Sequence, residues 1–262
     1  MTQLYFRVNV IECQAKITLN ILSASKKVPD FIKHYLWPDM VSVIIPFINE
    51  NNHLSDLIKQ LTSVVAYGHE IILVDGGSSD GFKLSNAAEG VTLCSSSKGR
   101  SKQMNYGAGI ARGDVFWFLH ADTILQFNVM HYVALIENMN SCWGRFNVSL
   151  SGSNSAFKLI AAMMNIRSSL TGISTGDQGI FIGRKLFDVV KGYDEIEIME
   201  DIGICKKLKK LSSPMSLQLK LTTSSRRWQE KGILKTILTM WLMRVLFFIG
   251  IKPSTLIKIY EK

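Results

Sequence analysis

The sequence predicts an α/β fold with a largely parallel central sheet flanked by helices, a mixed second half and a C-terminal amphipathic helix. Two observations support this prediction: apolar strand-like segments alternate with helical segments between residues 41 and 120, and this alternation becomes irregular afterwards. Strands that alternate with helices form parallel sheets with helices on their faces. The 262 residues, 47% of them hydrophobic, suffice for a sizeable core in one large domain or two tightly joined halves.

The first half contains four predicted strands and two predicted helices. The segment "VFWFLH" (115–120) is mostly apolar, which is typical of a strand buried on both faces. Apolar residues recur at three-to-four spacing between residues 54 and 65 and predict an amphipathic helix. The other predicted elements are strands at 41–46, 70–75 and 91–94 and a helix at 101–111. Ligands of such sheets bind at the carboxyl ends of the strands.

The second half mixes both kinds of element. The patterns predict helices at 128–139, 155–169 and 201–211, and strands at 142–150, 178–183 and 215–221. Residues 1–39 show no sustained hydrophobic period, and they are either a flexible extension or the product of an upstream start codon.

The tail segment "GILKTILTMWLMRVLFFIG" predicts a helix with one broad apolar stripe. We expect Lys231, Lys235 and Arg244 at the margins of this stripe, and we expect Pro253 to end the helix. Two placements are open: the helix lies on the cytoplasmic membrane surface, or it packs on the sheet or on a second subunit. The stripe consists of Ile233, Leu234, Ile237, Leu238, Trp241, Leu242, Val245, Leu246 and Ile249.

Charge and cysteine content limit the partners and the compartment. The 30 basic and 21 acidic residues give a net charge of +9, which favours an anionic partner. The basic residues are dispersed and no RNA-binding signature or zinc-finger spacing is present, so we predict no nucleic-acid partner. The four cysteines lack a CxxC spacing and are expected to be reduced, which predicts a cytoplasmic protein.

Polar residues follow three of the predicted strands. Asn49 and Glu50 follow the first strand, Asp75 ends the second, and His120 and Asp122 follow the fourth. Because the carboxyl ends of parallel strands meet at one edge, we expect these side chains to converge. An acidic edge on a basic protein indicates a bridging cation, and Mg²⁺ or Mn²⁺ bound to a diphosphate is the simplest one. The alternatives are a cap or turn role for Asp122 and a hydrogen-bonding role for His120.

Five segments resemble, in order, motifs of the family-two glycosyltransferases of the GT-A fold. They are "VSVIIPFINE", "IILVDGGSSDG", "GDVFWFLHADT", "MED" and "RRW". More closely, "KGRSKQMNYGA", "FLHADT", "GDQGIF", "MED" and "SSRRW" resemble a bacterial subgroup associated with radical-SAM and selenoprotein genes. The match covers about residues 41 to 260 and implies a GT-A-like fold, a nucleotide-diphosphate sugar donor and a divalent metal.

The resemblance implies donor-binding roles for several residues. Asp75 matches the aspartate that contacts the base or ribose, and Asp122 matches the last aspartate of the DxD motif, which holds the metal. His120 stands at the first DxD position, and both Asp122 and His120 are expected metal ligands. For Arg100, a phosphate contact and a solvated loop are both open. The expected nucleotide-sugar-binding residues are Asp75, Glu50, Arg100, Asn105, Asp122 and Arg227.

The resemblance also implies catalytic and acceptor-side roles. Asp201 matches the catalytic base of the ED motif, flanked by Glu200. The start of a helix favours an ionised Asp201 through the helix dipole, and the alternative role for Asp201 is a helix N-cap. Arg227 and Trp228 resemble the RW of a QxxRW motif, in which Ser224 replaces the glutamine. The expected acceptor-binding residues are Asp177, Gln178 and Trp228, with a polar turn as the alternative for the first two.

These expectations describe a glycosyltransferase that moves a sugar, with inversion, from a nucleotide-diphosphate sugar to an unidentified acceptor, for which a lipid-linked molecule is one candidate. The alternatives are a non-catalytic nucleotide-sugar-binding or membrane-recruited protein, and a nucleotidyltransferase. The latter class usually has a glycine-rich basic loop after the first strand, whereas "PFINENNH" has no glycine, lysine or arginine. The predicted segments are an N-terminal extension (1–39), a GT-A domain (40–230) with a nucleotide-sugar half (40–125) and an acceptor half (126–230), and a helical tail (231–262).

Overall fold

The computed structural model describes residues 39–83 and 90–260, so the predicted extension at 1–39 lies outside it except for its last residue. In this part of the chain, eight strands form one sheet. The strands are β1 (Val41–Phe47), β2 (Glu70–Asp75), β3 (Val91–Ser95), β4 (Val115–Phe118), β5 (Ile124–Leu125), β6 (Trp143–Leu150), β7 (Phe181–Gly183) and β8 (Met215–Thr223). The helices are α1 (Asn51–Ala66), α2 (Arg100–Ile110), α3 (Val129–Ile136), α4 (Ser155–Thr171), α5 (Arg184–Val189), α6 (Glu200–Leu208), α7 (Arg226–Lys231), α8 (Ile233–Phe248) and α9 (Pro253–Tyr260).

Most predicted elements coincide with observed ones, and their ends differ by a few residues. The predicted strand at 178–183 is wrong in its first half, because Gly176–Gln178 is a 3₁₀ turn and the strand begins at Phe181. The hydrophobic pattern does not predict β5, α5, α7 or α9, which have between two and eight residues each. Pro253 lies beyond the end of α8, as expected, but it also begins α9.

The first half of the sheet is parallel, as predicted. β1 pairs in parallel with β2 and β4, and β2 pairs in parallel with β3. Trp117 of β4 packs on one face of the sheet with apolar residues of α1 and α3, whereas Phe116 and Phe118 pack with residues of α2 on the other. Helices therefore cover both faces, which explains why β4 is uninterruptedly apolar.

The second half of the sheet is mixed, also as predicted. β7 lies between β4 and β6 and is antiparallel to both. β8 runs parallel to β6, and β5 is antiparallel to β8. The prediction of an α/β fold with a mixed second half is confirmed. Of the cysteines, those within the described residues are free, as expected: Cys94, Cys142 and Cys205.

The C-terminal helices pack on the beginning of α6. Met243 of α8 and Leu256 of α9 are fully buried and form one cluster with Met199 and Ile202. The helix thus packs on its own domain through one face, but on α6 rather than on the sheet. Its opposite face exposes large apolar side chains, namely Leu234, Leu238, Trp241, Leu242, Val245 and Phe248. No helix in residues 39–83 or 90–260 has both the length and the apolar content needed to cross a bilayer.

Candidate functional site

The loops that follow β1 and β2 are tied together at the predicted edge of the sheet. The Ser79 N–H donates a hydrogen bond to the Asn49 Oδ1 at 2.7 Å, and the Asn49 N–H donates to the Ser78 Oγ at 2.9 Å. Asp75 closes the turn after β2, because its Oδ1 accepts hydrogen bonds from the Gly77 and Ser78 N–H groups. The two strand ends therefore meet, as the sequence predicts, and one oxygen of Asp75 is used within the turn.

The segment after β4 brings Asp122 and His120 into different surroundings. The half-buried Asp122 makes no hydrogen bond or ion pair with the part of the chain that is described. His120, by contrast, is engaged: its Nδ1 lies 3.2 Å from the Asp177 Oδ1. A Cβ atom at Gly176 would lie 2.2 Å from the His120 Nε2, so this glycine permits a close approach of the ring. Asp122 is available to a ligand, whereas both ring nitrogens of His120 face protein.

The carboxylate of Asp177 connects β4 to β8. Besides His120, the Thr223 hydroxyl at the end of β8 donates a hydrogen bond to its Oδ1 at 3.2 Å. Burial raises the pKa of Asp177, but the hydrogen bond and charge of His120, together with Arg100 and Thr223, lower it to about 2. Asp177 is therefore ionised at any physiological pH.

A small cavity lies beside these groups. Its polar walls are formed by Arg100, His120, Glu200 and Asp201, with Gly176 at one side. The Arg100 Nη1 lies 3.6 Å from the Glu200 Oε1. The cavity thus brings the predicted phosphate-side arginine together with both predicted catalytic carboxylates.

Asp201 is the second residue of α6 and borders the cavity. Its Oδ2 accepts a hydrogen bond from the Gly176 N–H at 3.3 Å, and its Oδ1 accepts one from the Ile202 N–H at 2.7 Å. The N-cap position belongs to Met199, which has a positive φ of 70°, an uncommon conformation for a residue other than glycine. The alternative that Asp201 acts as the N-cap is therefore wrong.

The pKa of Asp201 is shifted in the direction opposite to the one expected from the helix dipole. Burial and the charge of Glu200 raise the pKa of Asp201 to about 6, although the Ile202 N–H, Arg244 and Arg100 act in the opposite direction. Desolvation therefore outweighs the effect of the helix start. A carboxylate with a pKa just below neutrality is well suited to accept a proton as a general base.

Two other predicted site residues are held in structural hydrogen bonds. The Asn105 side chain bonds to both the N–H and the carbonyl of Tyr193, each at 2.9 Å. Gln178 is fully buried, where its amide contacts the Thr175 N–H and the Ser168 hydroxyl. For Gln178 this geometry agrees with the polar-turn alternative.

The residues of the RW motif lie in α7, near the end of the chain. The Arg227 guanidinium lies 3.9 Å from the centre of the Tyr260 ring of α9, and Trp228 is half-buried. The neighbouring Arg226 lies 3.6 Å from the Glu50 carboxylate, which joins α7 to the loop after β1. The second half of the chain thus reaches the loop after β1 through α7.

Two arginines near Asp201 were not predicted as site residues: Arg167 of α4 and Arg244 of α8. Burial lowers the pKa of both, to about 10 for Arg167, and the charges of Asp201 and Asp177 oppose this shift in each. Arg244, which the sequence places at the margin of the apolar stripe of the tail, is half-buried beside Met243. A cation between apolar residues of α8 was the sequence signal for this placement.

The fit of a divalent metal depends on Asp122. Within the described ranges, no group of three or more His, Cys, Asp or Glu side chains could hold a metal ion. Mg²⁺ and related ions, however, often use one or two protein carboxylates and complete their shell with phosphate and water. The unpaired Asp122 carboxylate fits such a site, whereas the His120 ring is occupied by Asp177.

Residues 42–146 match the family model of glycosyl transferase family 2. This segment is similar to a glycosyl transferase family 2 domain. The domain contains Asp75, His120 and Asp122, whereas Asp201 follows it in the chain. An uncharacterized glycosyltransferase of Rickettsia typhi (strain ATCC VR-144 / Wilmington) is 25% identical over 114 residues, which are 42% of this chain and 36% of the relative. The match therefore spans little more than a third of that relative's length.

Solved glycosyltransferase structures share the fold at low sequence identity. A mannosyltransferase from Pyrobaculum calidifontis, in complex with GDP-Man and Mn²⁺, has a TM-score of 0.56 and 15% identity over 91% of this chain and 70% of its own. Glucosyl-3-phosphoglycerate synthase from Mycobacterium tuberculosis, in complex with phosphoglyceric acid, has a TM-score of 0.55 and 18% identity over 79% of this chain and 80% of its own. For S. aureus TarS (1–349) the TM-score is 0.52 and the identity 15%, over 72% and 61%. The GT-A-like fold is confirmed.

Proposed function

We propose that this protein is a glycosyltransferase that moves a sugar from a nucleotide-diphosphate sugar to an acceptor hydroxyl, with inversion at the anomeric carbon. The observation that carries the proposal is the cavity shared by Arg100, His120, Glu200 and Asp201. An inverting transfer needs a base for the acceptor on one side and charge stabilisation for the leaving group on the other. The match of residues 42–146 to the family 2 model supports the reaction class. We also propose that the protein belongs to the subgroup associated with radical-SAM and selenoprotein genes.

On the donor side, we assign Asp75 and Glu50 to the nucleoside and Arg100 and Arg227 to the diphosphate. Asp122 would hold the divalent ion, which, when bound, neutralises charge on the leaving nucleoside diphosphate. Mn²⁺ is present in the mannosyltransferase complex and in a second complex of the Mycobacterium tuberculosis synthase, which supports this cofactor. The nucleotide ligands of these two complexes, GDP-Man and UDP, support the donor class. The role of Asn105 on this side would be indirect, through the backbone of Tyr193.

On the acceptor side, Asp201 takes the proton of the attacking hydroxyl. Glu200 raises the pKa of Asp201 and is itself held by Arg100, so it tunes and positions the base. Asp177 and Trp228 are proposed acceptor contacts, whereas Gln178 shapes the turn that carries Asp177.

A nucleotide-sugar screen tests the reaction. The full chain is incubated with UDP- and GDP-sugars, with and without Mn²⁺, and release of the nucleoside diphosphate is measured. Asp201→Asn should lower the rate by about 10² to 10⁴ and leave donor binding nearly unchanged. The matched control is Asp188→Asn, an exposed aspartate of α5. A variant at Asp201 that keeps more than about a tenth of the rate would remove this residue as the base.

This screen, together with an incubation with nucleoside triphosphates and sugar phosphates, separates the alternatives. A non-catalytic nucleotide-sugar-binding protein would bind a donor without releasing nucleoside diphosphate. A nucleotidyltransferase would instead release pyrophosphate from a nucleoside triphosphate and a sugar phosphate. The anomeric configuration of the product, read by NMR, tests inversion.

We also propose that the exposed face of α8 lies on the cytoplasmic surface of an anionic membrane. Leu238, Trp241 and Val245 are each more than half exposed, and the exposed Lys231 and Lys235 can reach lipid phosphates. A second exposed apolar stripe at helical spacing lies on α4 and consists of Leu159, Met163, Ile166 and Leu170. The net charge of +9 favours anionic lipid.

Liposome flotation of the full chain tests this placement. The protein should rise with anionic vesicles, and Leu238→Glu should reduce the floating fraction, because it places a charge in the middle of the stripe. Tyr67→Glu is the matched control, since Tyr67 is equally exposed at the end of α1. If the unmodified protein stays with the soluble fraction at low salt, the membrane proposal is wrong.

A further inference from the structure

Arg167 and Arg244 are two cations that form no ion pair with a described residue. Neither guanidinium lies within ion-pair distance of a carboxylate in residues 39–83 or 90–260. The Nε and Nη2 atoms of Arg167 are buried and have no hydrogen-bond partner. The charge of Arg244 acts on Arg167 and disfavours its protonated form, so the two guanidinium groups lie near each other.

Arg167 comes to the site from α4, which is attached to the turn that carries Asp177. The Gln178 Nε2 donates a hydrogen bond to the Ser168 Oγ at 2.9 Å, and Ser168 is the next residue along α4. The charges of Asp201 and Asp177 both act on Arg167, which places its guanidinium on the side of the proposed base.

Arg244 belongs to α8, which packs on the beginning of α6. Its neighbour Met243 is fully buried in a cluster with Ile202, which directly follows Asp201. Asp201 and Asp177 act on Arg244 as well. The two arginines therefore approach the same pair of carboxylates from two different helices.

A buried guanidinium without a partner is unfavourable in the free protein, because its donors have lost water and gained no acceptor. Such a group is most useful where a ligand supplies the missing acceptors. Guanidinium groups bind phosphate through paired N–H donors, and two of them match a doubly charged phosphate.

We infer that Arg167 and Arg244 bind a phosphate group on the acceptor, and that this contact brings the acceptor hydroxyl to Asp201. The inference rests on the proposed function, since it assigns the acceptor side of that site. The phosphate belongs either to a soluble phosphate ester or to a lipid headgroup, and the two sources present the same chemistry to the arginines.

Calorimetry with glycerol 3-phosphate tests the site without turnover. Arg167→Met and Arg244→Met should each weaken binding at least about tenfold, the loss expected for hydrogen bonds to a charged group. Lys185→Met, which removes an exposed charge on α5, is the matched control and should not change the affinity. The nucleoside diphosphate should bind all variants equally.

A second measurement separates ligand binding from a structural role. If Arg167 serves a ligand, Arg167→Met should leave the melting temperature of the free protein unchanged or raise it, because an unpaired buried cation is removed. A clear fall in the melting temperature, with unchanged phosphate affinity, would assign Arg167 to the fold and overturn the inference.

The source of the phosphate follows from two arms of the experiment. Binding of glycerol 3-phosphate identifies a soluble ester. Binding only to phosphatidylcholine vesicles that contain phosphatidic acid identifies a lipid. In either case, Arg167→Met and Arg244→Met must each abolish the binding. No binding in either arm, or competition between glycerol 3-phosphate and the nucleoside diphosphate, would refute an acceptor phosphate site. Since no donor or turnover is involved, these outcomes are independent of the Asp201→Asn rate that tests the proposed function.

Discussion

The rate of transfer should fall as the pH is lowered through about 6, and Glu200→Gln should shift this fall to lower pH. Asp201 must be ionised to accept a proton, and burial together with Glu200 raises its pKa to about 6. Removing the Glu200 charge leaves only burial to disfavour the ionised form. The pKa of Asp201 should then move toward the ordinary value of an aspartate.

The size of the effect follows from the fraction of ionised Asp201. With a pKa of about 6, about nine-tenths of the molecules are ionised at pH 7 and about one-tenth at pH 5, so the rate should fall about tenfold. An aspartate with the ordinary pKa of about 3.9 would lose less than about a tenth of its rate over the same interval. The two cases are therefore easily distinguished.

The pKa can be measured directly by a carbon NMR titration of labelled aspartate carboxyls, in which the Asp201 signal is assigned by its absence from Asp201→Asn. Glu200→Gln should lower the pKa of Asp201, and Arg100→Met should raise it, because Arg100 favours the ionised form. A signal that titrates near pH 4 in the unmodified protein, or one that does not respond to either variant, would refute the assignment of the tuned base.

Three further predictions concern individual side chains. Asp122→Ala should weaken Mn²⁺-dependent binding of a nucleoside diphosphate far more than binding of the nucleoside; equal losses in calorimetry would exclude a metal–diphosphate role. Gly176→Ala should disturb the His120–Asp177 contact, because its Cβ would lie 2.2 Å from the His120 Nε2; an unchanged His120 NMR signal would contradict this. Asp177→Asn should lower the melting temperature at pH 7. Since the pKa of Asp177 is depressed to about 2, the difference from the unmodified protein should shrink as the pH falls below about 5, and a constant difference would be inconsistent with this titration.

The sequence predicts the fold well where burial leaves a periodic pattern. β4 is recognisable because helices cover both of its faces, and α1 is recognisable because one of its faces is buried. The predicted strand begins too early, at Gln178 instead of Phe181, because the buried Gln178 precedes an apolar run in the same way as a strand residue would. Short helices such as α5 and α7, with six residues each, have too few residues for a period.

The candidate site is predictable only in part, for a related reason. Strand ends of a parallel sheet have a known position, so the convergence of Asp75, His120 and Asp122 follows from sequence order. The partners of these side chains, and the directions in which they point, do not follow from the sequence order. From the sequence, Arg244 is expected at the margin of the apolar stripe of α8. Only the packing of Met243 on α6 shows that this part of the helix faces inward. The pKa of Asp201 depends on burial by segments far apart in the chain.

Gly176 makes two contacts whose combination constrains the motions of the enzyme. Its backbone N–H holds one oxygen of Asp201, and its missing side chain leaves room for the His120 ring. One peptide therefore fixes the spacing between the tip of β4 and the start of α6. Any motion of this region must carry both groups together as a rigid body, or break the contact of Gly176 with one of them. Such a motion is thus expected to hinge outside this turn, in the loops that lead into it and away from it.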